Sequence, residues 1–187
     1  MTFSFAREAK KARKEKIVRT ISYVYLYIVL LSIYLKPIWS ELDRVSDSVQ
    51  SFLSESDLTR DDLDAVKMVT TELVENGIKY GHFPTPESNI ELSVRKKKKR
   101  IVIEVKNQVK DSEMGHLRRL DSKIQWIRGY QNPFEAYVER LKEISNKNLA
   151  EGESGLGLVR IAYEGQSILD FYVNEENLLA VSAVYQY

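Results

Sequence analysis

Glu72, Asn76 and Lys79 place an acid, an amide and a base close together in the segment TTELVENGIKYGH, residues 70–82. Residues three or four apart lie one above another on a helix, so these three side chains would share one face. Such a face could hold a metal ion and phosphates, because side-chain oxygens bind Mg²⁺ and a lysine ammonium group can contact a phosphate. A solvated, charged helix face is the alternative, and this segment alone does not separate the two.

Two glycines lie in a second segment that could do chemistry, ESGLGLVRIA, residues 153–162. Gly155 and Gly157 fall just before or within the first turn of a predicted helix. Glycines at such a point let backbone N–H groups come close to an anion. Because glycines at helix starts also serve simple turn geometry, this pair is weak evidence by itself.

The elements that must position these residues follow from the spacing of apolar side chains. That spacing predicts a helix over 38–53, and a second helix that begins near Thr59 and ends near Gly81. Residues 89–107 alternate apolar and polar side chains, which indicates a β-hairpin. The KKKKR run inside it is interpreted as a solvated hairpin tip, because no aromatic residues interleave with the lysines as a nucleic-acid surface would require.

In the second half of the chain, the spacing of apolar residues predicts helices followed by strands. Residues 111–150 are polar and mostly helical, with apolar spacing typical of two helices. A further helix is predicted over about 156–164, and two final strands over 167–173 and 178–187. Strands on one sheet with helices packed against it make an α+β fold.

The N-terminus combines a basic arm with an apolar run. Residues 1–19 hold seven basic and two acidic residues. Residues 20–35 form a run of 16 residues, shorter than the roughly 20 that a helix needs to span a bilayer. Its Tyr, Val and Ile content favours one or two buried strands, with membrane association as the alternative. We therefore expect a basic arm over 1–19 and a single domain over 20–187.

Composition limits the functional classes. The net charge of +1 gives no reason to expect a nucleic-acid partner. The chain has no cysteine and two histidines, which excludes thiolate and multi-histidine metal sites. A cytoplasmic location is compatible with this cysteine usage.

Taken in order, these motifs resemble a known superfamily. An E-x-x-x-N helix, a hairpin, a long polar insertion and a G-L-G-L segment that opens a helix are similar to the GHKL (Bergerat) ATP-binding fold over roughly residues 30–187. ELVENGIKYG resembles its N-box, and SGLGLVRIA resembles its second glycine box. The resemblance implies a two-layer α/β sandwich with a mostly antiparallel mixed sheet, in which residues 111–150 are a helical insertion or lid.

The resemblance also implies roles for individual residues, with ATP and Mg²⁺ as cofactors. Asn76 matches the asparagine that helps to coordinate the Mg²⁺ bridging the phosphates. Glu72 matches the acidic residue that acts as general base, and Lys79 matches a basic position near the phosphates. Glu75 has no functional match and is expected to face solvent. The backbone amides of the glycine box would contact the phosphate tail at Gly155, Leu156 and Gly157.

One family motif departs from its pattern. The adenine-reading D-x-G should fall at the end of the second hairpin strand, where this chain has Asn107 and Val109. The amide oxygen of Asn107 can still accept a hydrogen bond from the adenine amino group. Replacing a charged acceptor by a neutral one costs on the order of 1 kcal/mol, or several-fold in affinity. Val109 puts a side chain where the family keeps space for close approach of the backbone.

Within the superfamily, the chain resembles one group in particular. His82 and His116 both follow the N-box, so the phosphoacceptor histidine of a complete histidine kinase is missing from its place before it. The length argues against a gyrase-type or MutL-type ATPase. What remains resembles the stand-alone bacterial anti-sigma factors and serine/threonine switch kinases, including the SiaB-like subgroup, which has an asparagine at the adenine-reading position.

This resemblance implies a serine/threonine protein kinase that phosphorylates a small antagonist-type (STAS-like) protein or binds a sigma factor, and that pairs as a homodimer. Two alternatives remain open at this point. One is a degenerate GHKL module that binds a partner without turning over ATP. The other is a membrane-surface regulator that uses the basic arm over residues 1–19.

Overall fold

The computed structural model describes residues 29–110, 114–146 and 155–187. These residues form five helices and five strands. The helices are α1 (Glu41–Leu53), α2 (Arg60–Tyr80), α3 (Met114–Arg128), α4 (Pro133–Ser145) and α5 (Gly157–Tyr163). The strands are β1 (Val29–Leu35), β2 (Ile90–Lys97), β3 (Arg100–Gln108), β4 (Ser167–Val173) and β5 (Leu178–Gln186).

The five strands form one sheet in the order β1-β2-β3-β5-β4. The α2 helix packs on the central strands of this sheet and also contacts α1 and α5. The predicted α+β, two-layer architecture is therefore confirmed. The prediction allowed for a mixed sheet, and each of the four strand pairings that the structure describes is antiparallel.

The predicted hairpin over residues 89–107 is the β2–β3 pair. Its tip is not simply solvated, because the ammonium groups of Lys96 and Lys99 lie 3.0 and 2.9 Å from the carboxylate of Asp57. Two of the lysines therefore tie the hairpin to the loop between α1 and α2. The six inward-facing residues are at most 2% exposed: Ile90, Leu92, Val94, Ile101, Ile103 and Val105.

The α2 helix begins where the sequence predicts. Thr59 is its N-cap and accepts a hydrogen bond from the backbone N–H of Asp62, whose carboxylate accepts one from the backbone N–H of Thr59 in return. This capping box satisfies two backbone donors at the start of the helix. Val66, Val69 and Leu73 face the core. The helix is thus held at a fixed angle on the sheet, and this fixes where Glu72 and Asn76 lie.

The N-terminal part of the described chain differs from prediction. β1 is an edge strand, and Leu30 and Tyr34 are 56% and 67% exposed instead of buried. The α1 helix begins at Glu41, so Ile38 precedes it and is exposed. The basic arm over 1–19 and the run over 20–28 lie outside the described residues. Within the described residues, no helix has both the length and the apolar character needed to cross a bilayer.

Candidate active site

A cavity of about 630 Å³ lies between α2, the strands β3 and β5, and the helices α3, α4 and α5. Its volume falls in the range of small-molecule ligand sites, roughly 300–1,000 Å³. Five residues singled out in the sequence line it, although they come from three separate segments of the chain: Asn76, Asn107, Val109, Gly155 and Gly157.

Glu72 lies beside this cavity, at the contact between α2 and α5. Its Oε1 atom accepts a hydrogen bond from Nη1 of Arg160 on α5. A side chain at Gly157 would place its Cβ only 2.6 Å from Oε2 of Glu72. The missing side chain at position 157 therefore allows α5 to approach the carboxylate closely.

The electrostatic setting of Glu72 suits proton transfer. Burial raises the pKa of Glu72 above its ordinary value, and the positive charge of Arg160 is the largest opposing influence. The charges of Glu75 and Glu164 raise the pKa further, and that of Lys79 lowers it. A carboxyl group whose pKa is raised is a better proton acceptor near neutral pH than an ordinary glutamate.

Asn76 has an amide group without its full set of hydrogen bonds. Its Nδ2 atom is buried and has no hydrogen-bond partner in the part of the chain that the structure describes. Leaving such a group unpaired costs about 1–3 kcal/mol, so a folded protein rarely retains one without a reason. The same atom would lie 3.7 Å from a Cβ at Gly157. This unpaired amide at the cavity wall indicates a place where a ligand completes the contacts.

The same region fits a Mg²⁺ ion held mainly by phosphate oxygens. The described residues contain no group of three or more histidine, aspartate or glutamate side chains that could hold a metal. Mg²⁺ in phosphate-binding sites commonly has only one or two protein oxygen ligands, and water and phosphate complete its shell. The side-chain oxygen of Asn76 is the protein ligand available here, and its unpaired Nδ2 atom can donate to an acceptor such as a phosphate oxygen.

Asn107 is almost fully buried in the cavity wall, at 3% exposure. Its Nδ2 atom donates a hydrogen bond of 3.0 Å to the carbonyl oxygen of Gln108. This bond fixes the amide so that Oδ1 is the atom facing α2, 3.5 Å from where a Cβ at Gly77 would lie. The amide oxygen is therefore the polar atom that Asn107 presents toward α2, and its contact with adenine stays a prediction.

Val109 occupies the wall without closing the cavity. Its backbone N–H donates to the carbonyl oxygen of Asn177 at 2.9 Å, which anchors the end of the strand. The side chain is 7% exposed and lines the cavity. A valine at the place where the family keeps a glycine is therefore compatible with an open cavity.

The glycine box contacts a cationic side chain. Gly155 has φ of +57°, a left-handed conformation that glycine adopts without strain. A Cβ there would lie 2.5 Å from Nη2 of Arg140 on α4, so the guanidinium packs directly on the glycine backbone. Leu156 is the N-cap residue of α5, and its carbonyl accepts from the N–H of Arg160 at 2.9 Å.

Lys79 is not brought to the cavity. Its ammonium group lies 3.6 Å from the carboxylate of Glu75 and 5.6 Å from the ring centroid of Trp39. Its contact with phosphates stays a prediction. The cationic side chains that line the cavity come instead from α3 and α4: Arg118, Arg119, Lys123 and Arg140.

Two residues of the site, Arg160 and Arg140, were not predicted from the sequence. Arg160 follows Gly157 by three residues, so helical spacing places it on the face that contacts Glu72, and this signal was available. Arg140 had no comparable signal, because local periodicity shows that residues 133–145 form a helix but not which way the helix faces. The long-range packing of α4 against α5 decides that.

Comparisons with known proteins agree with this geometry. The profile of a family described as "Histidine kinase-like ATPase domain" matches residues 39–164. No curated protein matches the sequence. Among solved structures, a chain in "The crystal structure of SiaB-SiaC complex from Pseudomonas aeruginosa" is similar, with a TM-score of 0.65 and 18% identity. The match covers 93% of this chain and 99% of the other, and at this identity it shows a shared fold.

Proposed function

The chain belongs to the histidine kinase-like ATPase domain family, and we propose that it is an ATP-binding regulatory protein of a bacterial partner-switching system. In this proposal it acts in the cytoplasm as a serine/threonine kinase on a small antagonist-type protein. One observation carries the proposal: the wall of a cavity of about 630 Å³ contains the unpaired amide nitrogen of Asn76, and beside it lies the carboxyl group of Glu72, whose pKa is raised by burial.

The polarity of the cavity supports one orientation of the nucleotide. Asn107 offers an oriented acceptor for an adenine amino group at the β3 wall. The backbone at Gly155 and Gly157 and the guanidinium of Arg140 lie together at another part of the wall, where they can contact a phosphate tail. Adenine would therefore bind against β3, with the phosphates directed toward α5 and Asn76.

The proposed chemistry needs little from the protein besides positioning and charge neutralisation. Bound ATP with Mg²⁺ supplies the phosphoryl group and neutralises its developing charge. The serine or threonine oxygen of the partner forms a bond to the γ-phosphorus as the bond to ADP breaks, and Glu72 takes the hydroxyl proton. Asn76 would hold the metal through its side-chain oxygen, and the glycine-box amides would hold the phosphates.

The proposed partner is a separate protein that presents a hydroxyl group. The similar structure is a complex of two proteins, SiaB and SiaC, which supports a protein partner for this fold. In this chain, the 111–150 insertion would act as a lid and as part of the partner surface. A sigma factor as partner and a homodimeric assembly belong to the same proposal.

A second candidate is a module of the same fold that binds its partner without turning over ATP. One observation favours it: the side chain of Val109 in the adenine-reading motif. It predicts partner binding that is unchanged when Glu72 is replaced.

Radiolabelled ATP with Mg²⁺ and the antagonist-type protein encoded beside this gene would distinguish the two. The kinase predicts a phosphorylated partner with wild-type protein, and loss of the label with Asn76→Ala and Glu72→Gln. Glu75→Gln is the matched control on the same helix and should retain labelling. No label, or a label independent of Asn76, would contradict the kinase.

A further inference from the structure

We propose that Arg160 is a positioning residue for Glu72, which fixes the carboxylate at the contact between α2 and α5 in the orientation needed to receive a hydroxyl proton. This inference rests on the proposed function, since it assigns Arg160 a part in the same reaction. It concerns a residue that neither the sequence motifs nor the family match singles out.

The guanidinium of Arg160 is held between two carboxylates from different helices. Its Nε atom lies 3.1 Å from Oε2 of Glu164, four residues later on the chain, and its Nη1 atom donates to Oε1 of Glu72 on α2. The planar guanidinium can make both contacts at once, and Glu164 orients it from outside. A lysine has one ammonium group and could not reproduce this geometry.

Both oxygens of Glu72 are thereby restrained. Oε1 accepts from Arg160, and Oε2 packs against Gly157, where even a Cβ atom would come within 2.6 Å. The Glu72 side chain is 15% exposed, so little water surrounds it to offer other partners. Gly157 also lines the cavity, so the restrained carboxylate adjoins the end where the phosphates are proposed to bind.

The charges that face Glu72 give the direction of the pH effect. Lys79 and Glu75 lie on its own helix, and Arg160 of α5 and Glu164, the C-cap residue of that helix, act on it from the other side of the contact. Tyr137 of α4 interacts with Glu164 and Arg160. Burial raises the pKa of Glu72 and Arg160 is the largest opposing influence. Removing the guanidinium leaves burial and two neighbouring carboxylates, so Glu72 should hold its proton to higher pH.

A direct test is the pH titration of the Glu72 side-chain carboxyl carbon by ¹³C NMR in wild type and Arg160→Gln. The midpoint of the titration should rise by roughly one pH unit or more, because a nearby opposite charge usually shifts the pKa of a carboxyl group by about that amount. Arg44→Gln is the matched control, since Arg44 pairs with Glu41 on α1 and is not among the main charges that act on the pKa of Glu72. An unchanged midpoint in folded Arg160→Gln would overturn the positioning role, whether or not the protein is a kinase.

Kinetics of phosphoryl transfer give a second readout. Arg160→Gln should lower kcat about tenfold and change KM for ATP by no more than about twofold. The acid limb of its kcat–pH profile should move to higher pH by the same amount as the NMR midpoint. Arg160→Lys, which keeps the charge, should retain the wild-type acid limb and recover only part of kcat. A raised KM with unchanged kcat would overturn the inference and make Arg160 a phosphate contact.

The experiments distinguish a failure of the proposed kinase function from a failure of the positioning role of Arg160. Wild-type protein that transfers no phosphoryl group contradicts the proposed function, and the NMR titration still reports on the Arg160–Glu72 contact. Should Arg160→Gln fail to fold, Arg160→Lys replaces it: a kcat and acid limb both equal to wild type would then overturn the positioning role.

Discussion

The contact between Gly157 and Glu72 decides how close two helices come at the candidate site. Because residue 157 has no side chain, the Glu72 carboxylate lies against the backbone of α5 and within reach of Arg160. Sequence motifs indicated that Gly157 and Glu72 both belong to a site. They did not indicate that the two residues touch, because the contact joins segments 85 positions apart in the chain.

Gly157→Ala should displace Glu72 and impair catalysis more than binding. The added Cβ would lie 2.6 Å from Oε2, so the carboxylate must move away from Arg160. We expect phosphoryl transfer to fall at least tenfold and ATP affinity to change only a few-fold, measured by partner labelling and calorimetry. Gly115→Ala is the control, because its Cβ would meet the nearest atom of Arg119 at an ordinary 3.8 Å. Equal activity in the two variants would contradict this account.

Asn107 fills two roles that an aspartate could not fill together. Its amide nitrogen donates to the Gln108 carbonyl, and its oxygen stays available as an acceptor. Asn107→Asp would place a buried carboxylate against a carbonyl oxygen and remove the donor. The free energy of unfolding should fall by about 1–3 kcal/mol.

Denaturant unfolding measures that change. Asn89→Asp is the matched control, since the exposed Asn89 amide makes the same kind of bond to the Glu87 carbonyl at 2.6 Å. Its loss should be under about 0.5 kcal/mol, because exposed groups can bond to water. A similar decrease in the free energy of unfolding for the two variants would contradict the larger contribution of the buried Asn107 bond to stability.

The α2 helix carries both Glu72 and Asn76, and its capping box fixes the residue at which the helix begins. Thr59→Ala should lower the free energy of unfolding by about 1 kcal/mol, the usual value of such a cap. ATP affinity should stay unchanged, since Thr59 lies more than three helical turns from Glu72. Ser40→Ala is the control, because Ser40 precedes α1 without a side-chain cap bond. Equal unfolding curves for Thr59→Ala and wild type would contradict the role of the cap.

The elements were predictable to the extent that they depend on local periodicity. The hairpin, the α2 helix and the final strands follow from alternation and helical spacing, which neighbouring residues determine. The exposure of β1 was not predictable in this way, because an edge position depends on which strands pair. The placement of Lys79 away from the cavity likewise depends on which side of α2 meets the sheet.

The cavity forms only where strands of the sheet and the helices α3, α4 and α5 come together in the folded molecule. The two tryptophans lie at different distances from it. Trp126 lines the cavity, and Trp39, which does not, is 52% exposed near Lys79. ATP with Mg²⁺ should change the fluorescence of Trp39→Phe, which retains Trp126, and leave that of Trp126→Phe nearly unchanged. The reverse result would place the phosphates near Lys79.

Calorimetric titration of ATP tests the central claim, that the cavity binds Mg-ATP through Asn76, most directly. Wild-type protein should give saturable heat with Mg²⁺ present. Asn76→Ala should bind about tenfold more weakly with Mg²⁺, the loss of roughly one charge-assisted contact, and the difference from wild type should shrink when EDTA removes the metal. No heat from wild-type protein at millimolar ATP, or equal affinities with Mg²⁺ present, would contradict the claim.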